Sequence, residues 1–405
     1  MLIRSFRYRR RHRLLHALLI ILFIWSAAEV TLIQRHLAQD PPRKTSHHTL
    51  QRPRTGRIFI ASIHWNDEII LRSHWNQAVV DLVQALGPQN VFVSVYESGS
   101  YDNTKDALMT LDRSLSALDV PRNITLSEVT HWDEMQRPPV GAGWVQTIRG
   151  KKELRRVPYL ARTRNISLEP LIRLAEEGLY FDTILFLNDV VFTVDDVFTL
   201  LETNNGHYDA ACSLDFTNPP RYYDTFALRD TDGKEPIMQT WPYFASSVSR
   251  RALERMDPVP VRSCWNGMVA MPASPFLSTD KPLRFRGIPD SLAQEHLEGS
   301  ECCLIHADNA IGSSKRVYLN PRVRVGYNGP AYEAVHPEDR WLSSWRILKG
   351  IWASRLKLWS YIDLRGRKVH RRLSRWERKH GLQEPGDYCL VDEMQVLMEW
   401  GWAHL

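Results

Sequence analysis

Residues 183–192, Thr-Ile-Leu-Phe-Leu-Asn-Asp-Val-Val-Phe, constrain this chain more than any other segment. Thr183 to Leu187 form a short apolar run without alternation, which suits a strand covered on both faces. The run ends directly in Asn188-Asp189. A carboxylate at the C-terminal end of a covered strand stands where open α/β sheets place ligand chemistry. Alone, the same segment also reads as a strand followed by a helix cap, so its surroundings decide.

Those surroundings repeat the pattern. Arg57 to Ile63 is a β-rich run, and Glu68 to Leu86 has helical spacing, with Ile70, Trp75, Val79, Leu82, Val83 and Leu86 inward. Gly87-Pro88 ends that helix. Val91 to Tyr96 is a second strand, Thr104–Leu118 a helix, Ile124 to Val129 a short strand, and Tyr159 to Gly178 another helix; 133–157 reads as irregular. Thr193, Asp195 and Asp196 read as caps of the next helix, outside the chemistry. This order predicts an α/β fold: an open, mostly parallel sheet with helices on both faces. Its strand ends carry His64-Trp65-Asn66, Tyr96-Glu97-Ser98 and Asn188-Asp189, which predicts one site.

Beyond residue 205 the pattern loosens. Ala210 to Leu214 reads as a strand ending at Asp215, and Cys264 to Met271 as a Gly-containing turn before a strand. Cys302 to Asp308 reads as a strand ending in His306 and Asp308. Trp341, Trp345, Leu348, Trp352, Leu356 and Trp359 share one helical face, expected to pack on the core. A second reading sets this segment and the basic run Arg365 to Arg378 against anionic headgroups.

The chain's net charge of +6 is matched by six arginines within residues 4–13, so the remainder is balanced and offers no basic footprint for nucleic acid. After those arginines, residues 14–33 are apolar enough to span a bilayer, with a cytoplasmic N-terminus. The expected plan is a cytoplasmic tail (1–13), a signal anchor (14–33), a lumenal stem (34–56) containing His47-His48, a catalytic domain (57–330) and a helical basic and aromatic region (331–405). Ser26-Ala27-Ala28 also resembles a signal-peptidase site, the competing reading. Sequons at Asn123 and Asn165 agree with a lumenal domain. Five cysteines leave at least one unpaired, and no CxxC spacing suggests zinc.

The chemistry expected at the strand ends is that of a hard cation and a diphosphate. Such a cation takes oxygen ligands, sometimes with one imidazole. Asp189 and His306 are the candidate metal ligands; Asp189, Asp215 and Asp308 are the candidate catalytic acids. Asn66, Tyr96, Glu97, Ser98 and Asn188 are candidate substrate contacts. Asp230-Thr-Asp232, followed by Gly233-Lys234 and preceded by no apolar strand, reads as a surface turn. No P-loop, dinucleotide fingerprint, GxSxG or HExxH occurs. Glu97 and Asp215 also admit a glycosidase reading.

Four segments in order, Phe92 to Asp102, Phe186 to Phe192, Cys264 to Ala270 and Ser300 to Asp308, resemble the fungal capsule-associated α-1,3-mannosyltransferases, glycosyltransferase family 69. The resemblance covers roughly residues 57 to 330. It implies a GT-A-like fold and a type II Golgi membrane enzyme that uses GDP-mannose and Mn²⁺ (or Mg²⁺). It implies a mannan or other glycan as acceptor, retention of the donor's configuration, and a lumenal complex with other glycosyltransferases. Asn188-Asp189 takes the place of the Asp-x-Asp of GT-A enzymes, with an amide for the first acid. His306 or Asp308 falls at the C-terminal metal ligand, and Trp265-Asn266-Gly267 lines the sugar pocket. A non-catalytic lumenal glycan-binding or scaffold protein is the alternative that the amide favours.

Overall fold

The computed structural model describes residues 2–38, 56–309, 316–338, 340–360 and 363–405. Most of the expected stem, His47-His48 included, lies outside them. Helix α1 (Leu2–Leu37) precedes a 10-stranded sheet. Strands β1 (Ile58–His64), β2 (Val91–Glu97), β3 (Arg122–Leu126) and β4 (Thr183–Leu187) pair in parallel, in the order β3-β2-β1-β4. Next come β5 (Ala210–Asn218), β6 (Val259–Ser263), β7 (Met268–Pro272) and β8 (Val317–Gly326). β7 lies antiparallel between β4 and β5, so β5 points the same way as β1. β8 continues parallel to β5, and β6 closes antiparallel on β8. Most strands therefore share one direction, as expected.

Side chains alternate across the sheet. On one face Ile58, Ile60, Val93, Val95, Leu185 and Leu187 pack with Val79 and Leu82 of α2 (Asn76–Leu86), Leu108 and Leu111 of α3 (Thr104–Ala117), and others. On the other, Phe59, Phe92, Ile184 and Phe186 meet Leu168 and Leu171 of α4 (Arg156–Glu176). The next helix, α5 (Val194–Leu201), starts at a capping box between Thr193 and Asp196, as its sequence predicts.

Several expectations change. A π turn, Leu71–Trp75, interrupts the helix over 68–86. The stretch 133–157 contains most of the helix His131–Gln136, which has its own Thr130 capping box, and the hairpin Trp144–Gln146 with Lys152–Leu154. Asp215 lies inside β5, because that strand continues to Asn218. Cys302 to Asp308 is a helix, α6 (Glu301–Asp308), capped by Ser300. Residues 301–306 are buried all round, and a run that short with no exposed face carries no periodicity to separate helix from strand. Two disulfides form, Cys212–Cys264 and Cys303–Cys389, leaving Cys302 as a buried free thiol. The C-terminal region holds α7 (Ser344–Ser360), α8 (Leu364–His380) and a hairpin, Gln395–Met398 with Gly401–His404. In α7 the buried side is Ile347, Gly350, Ile351 and Ser354, not the tryptophan stripe.

Candidate active site

The parallel strands β1, β2 and β4 deliver His64, Glu97 and Asn188-Asp189 to one sheet edge. Ser62 Oγ donates to Leu187 O at 2.7 Å, so it accepts from His64 Nε2 at 2.8 Å. That fixes the tautomer and turns Nδ1 to Asp67 Oδ2, 2.8 Å away. Burial pushes His64 down to about 4. Burial also raises Asp67 to about 7. Asp189 is raised to about 8, first by burial and then by the charge of Asp67. Its carboxylate receives no hydrogen bond from another side chain among the described residues. Glu97 is fully buried, and its Oε2 has no hydrogen-bond partner among the described residues, while Oε1 accepts from Ser100 N–H. Asp67 and Asp189, whose charged forms burial disfavours first of all, suit a hard cation, which would offset that penalty.

A second carboxylate group stands on the β5 side. Asn266 Nδ2 donates to Asp215 Oδ1 at 2.9 Å, and Tyr327 OH donates to Asp215 Oδ2 at 3.3 Å. Burial, then the charge of Asp224, raises Asp215. Asn188 joins the two groups: its Oδ1 accepts from Trp265 Nε1 at 3.1 Å and its Nδ2 donates to Tyr327 OH at 3.4 Å. Asn266 and Gly267 have positive φ of 50° and 91°, which lets this turn tuck under the site. A Cβ on Gly267 would lie 2.6 Å from Val325 Cγ2.

Of these residues Asn188, Trp265 and Tyr327 line a cleft of about 1000 Å³, together with Arg156, Arg164, Tyr223, Asp224 and others. Arg164 is committed: it donates to Glu301 at 3.1 Å and stacks over Trp265 at 4.5 Å. Arg156 instead meets the neutral amide of Gln395 at 2.7 Å and the ring of Trp402 at 3.9 Å. Burial disfavours its charge. An anion in the cleft would meet an arginine with no carboxylate in ion-pair range among the described residues.

The other sequence candidates are placed differently. Asn66 shapes a loop, accepting from Tyr101 N–H at 2.8 Å, and Ser98 Oγ donates to His64 O at 3.3 Å. Tyr96 is half-buried one residue before Glu97. His306 sits in α6 and donates from Nε2 to Cys264 O at 2.7 Å. Its ring and the sulfurs of Cys212 and Cys264 lie within 4.8 Å of one another. Those sulfurs are bonded together and offer no thiolate, so the expected metal role of His306 finds no partner set there. Asp308 faces Arg286, which holds it at 2.6 and 2.9 Å and also grips Glu384, so its carboxylate is engaged in the fold rather than the site.

Asp230-Thr-Asp232 is a turn, but Asp230 is buried rather than exposed. It accepts from the N–H groups of Asp232, Lys234 and Ser246. The Asn165 amide is bound to Phe285 on both sides, at 2.8 and 3.0 Å, so it is not presented for glycosylation. Asn123 lies on the edge strand β3 and pairs with its own sequon's Thr125. Sequence reasoning missed Asp67, Arg156, Arg164, Tyr223, Asp224 and Tyr327. Only Asp67 carried a signal, three residues after His64 at a strand end, and its position before a helix disguised it as a cap.

The family described as Cryptococcal mannosyltransferase 1 matches residues 57–308. Alpha-1,3-mannosyltransferase CMT1 of Cryptococcus neoformans var. neoformans serotype D is 26% identical over 310 residues, 72% of this chain and 62% of that protein. The chain therefore spans less than two thirds of that relative's length. Among solved structures, S. aureus TarS 1-349 in complex with UDP is 12% identical, with 80% of this chain and 72% of that one covered at a TM-score of 0.33. Mannosyltransferase PcManGT from Pyrobaculum calidifontis, in complex with GDP-Man and Mn2+, is 10% identical, with 90% and 92% covered at a TM-score of 0.36. Superpositions this loose leave the fold to be judged from the chain's own sheet. The matched span contains β1 to β7 and both carboxylate groups, and the chain belongs to the Cryptococcal mannosyltransferase 1 family.

Proposed function

We propose that this chain transfers mannose from GDP-mannose to a glycan hydroxyl, with metal assistance, forming an α-1,3 linkage with retention. The observation that carries the proposal is the pair Asp67 and Asp189, whose charged forms burial disfavours, with Asn188 next to Asp189 lining a cleft that Arg156 and Arg164 also line. The α-1,3 linkage and the mannosyl donor follow the relative's name. Asp189, with Asp67 beside it, would hold Mn²⁺ or Mg²⁺, and that ion would supply charge neutralisation for the departing diphosphate. Arg156 would pair with the donor's phosphates. Asn188 positions Trp265 and Tyr327, and Asn266 with Gly267 shapes the sugar pocket. Asp215 and Asp224 flank that pocket as the remaining acids for orienting an acceptor hydroxyl.

The proposed location is the Golgi membrane, with the domain lumenal. Among the described residues, one helix, His16–Leu37, is long and apolar enough to cross a membrane. Two disulfides suit an oxidising lumen.

The test uses the full-length protein with labelled nucleotide sugars and oligomannosides. Mannosyl transfer from GDP-mannose is expected, together with a rise in Tm on adding GDP and Mn²⁺. A second reading, a non-catalytic glycan-binding scaffold, draws on Asn188, whose amide is tied on both sides as a structural strut. It predicts glycan binding with neither transfer nor a GDP-dependent shift. Release of free sugar without any nucleotide would instead indicate a hydrolase.

A further inference from the structure

We propose that α7 is an interfacial membrane helix, and that its tryptophan face seats the catalytic domain directly on the phospholipid bilayer that α1 crosses. The inference rests on reading α1 as a membrane anchor. Along α1, Leu18, Ile21, Phe23 and Ile24 are 56 to 74% exposed, as lipid-facing residues would be. One face of its final turns is buried. Ile33 and Leu37 enter the domain core, and Gln34 bonds to Leu342 O at 2.9 Å and to Arg340 at 2.6 Å.

Between these regions α7 lies against the anchor. Trp352 Nε1 donates to Ser26 Oγ at 3.2 Å, and Arg355 grips both oxygens of Glu29 at 2.8 and 2.7 Å. The Arg355 guanidinium also stacks over Trp25 at 4.5 Å. An acid within an apolar span is costly unless paired. Arg355 supplies that pairing from a different part of the chain. The α7 contacts run from Trp25 to Glu29, about 6 Å of helix, and those of Arg340 and Leu342 just before α7 continue to Gln34. All of them fall in the C-terminal half of the span, the half nearer one face of a hydrocarbon core of ~30 Å. α7 is therefore level with one leaflet of any bilayer that residues 14–33 span.

The outward face of α7 fits that depth. Trp345, Leu356 and Trp359 are 69%, 59% and 73% exposed, on the same helical face as Trp352. Arg346 and Lys349 are exposed along one side of it. Aromatic rings flanked by cations are the composition of helices that lie in the headgroup region. The occupant is argued from continuity: this face adjoins a helix that already contacts lipid.

The full-length protein is reconstituted in vesicles of phosphatidylcholine brominated in its acyl chains, which quench tryptophans on contact. The quenched emission is expected to fall in Trp345→Phe/Trp359→Phe and to stay at the wild-type level in the control Trp132→Phe. If the double variant is quenched as much as wild type, or if aqueous acrylamide quenches these two tryptophans instead, the face meets water or protein and the proposal is overturned. Carbonate extraction separates the two readings. Release of the chain from the vesicle pellet sinks the anchor reading itself, whereas a retained chain with unquenched Trp345 and Trp359 sinks only the docking of α7.

Discussion

In the half of the sheet formed by β3, β2, β1 and β4, every neighbour is parallel, and burial disfavours the charged forms of Asp67 and Asp189 near its edge. Beyond residue 205, segments are tied to one another, and to Arg155 just before α4, by polar cross-links and by the disulfide Cys303–Cys389. Arg155 bridges Glu298 and Asp290 at 2.6 and 2.8 Å, and Arg286 bridges Asp308 and Glu384. Acids in the first half carry an electrostatic penalty that a ligand can relieve, whereas these acids of the second half are already satisfied by the chain. Similar residue types thus stand desolvated in one region and ion-paired in the other, and partner geometry, not identity, tells them apart.

The largest effect should come from breaking the second half. Arg155→Met leaves Glu298 buried and unpaired, which should cost about 3–5 kcal/mol of stability. Denaturant melts would measure it, and a loss below ~1 kcal/mol would mean that this half does not depend on its ties. The opposite profile is expected at the site. Asp189→Ala should lower transfer by about 10²-fold or more. Its Tm should stay level or rise, because a desolvated acid is removed. Near-normal transfer in excess Mn²⁺ would place the metal elsewhere.

Asp230→Ala leaves three backbone N–H groups without their acceptor, for a cost of about 2 kcal/mol. Asp232→Asn should stay within ~0.5 kcal/mol. Transfer per folded molecule should be unchanged in both, and a folded but dead Asp230 variant would give the literal Asp-x-Asp a catalytic role.

The smallest effect is the dependence on pH. Burial raises Asp189 to about 8 and Asp67 to about 7, above the ordinary carboxylate value of 3.8. The folded state then binds more protons, so their stabilising contribution is full below ~3.8 and is lost as pH rises through 7 to 8. The metal-free protein should melt lower at pH 8 than at pH 5, and Mn²⁺ should stabilise it more at pH 8, where protons no longer compete. A pH slope unchanged in Asp189→Asn would remove Asp189 from this account.

Much of the first half was legible in the sequence. The runs at 58–63, 91–96 and 184–187 and the Thr193–Asp196 cap are local patterns, and each forms where its residues place it. Asp189 was legible for the same reason. Asp67 was not, because its role depends on turning back to His64 rather than capping the helix that follows. Asp224 reaches Asp215 only through the short β-turn after β5. His306 and Asp308 were misplaced because a helix buried all round looks like a strand. The tryptophan stripe of α7 obeyed the helical period, but its expected buried face points outward. Periodicity identifies a face and cannot name what covers it.

Ile33 and Leu37 are part of the core, although they belong to α1, the proposed anchor helix. Removing everything before residue 56 is the usual way to secrete a membrane-bound enzyme. Here that cut would vacate the places of both side chains and leave Arg355 without Glu29. A secreted form would therefore be a less stable protein with a newly exposed apolar groove, prone to self-association. The same domain, whole with its anchor in detergent, should stay monodisperse. For this chain, solubility and integrity pull in opposite directions.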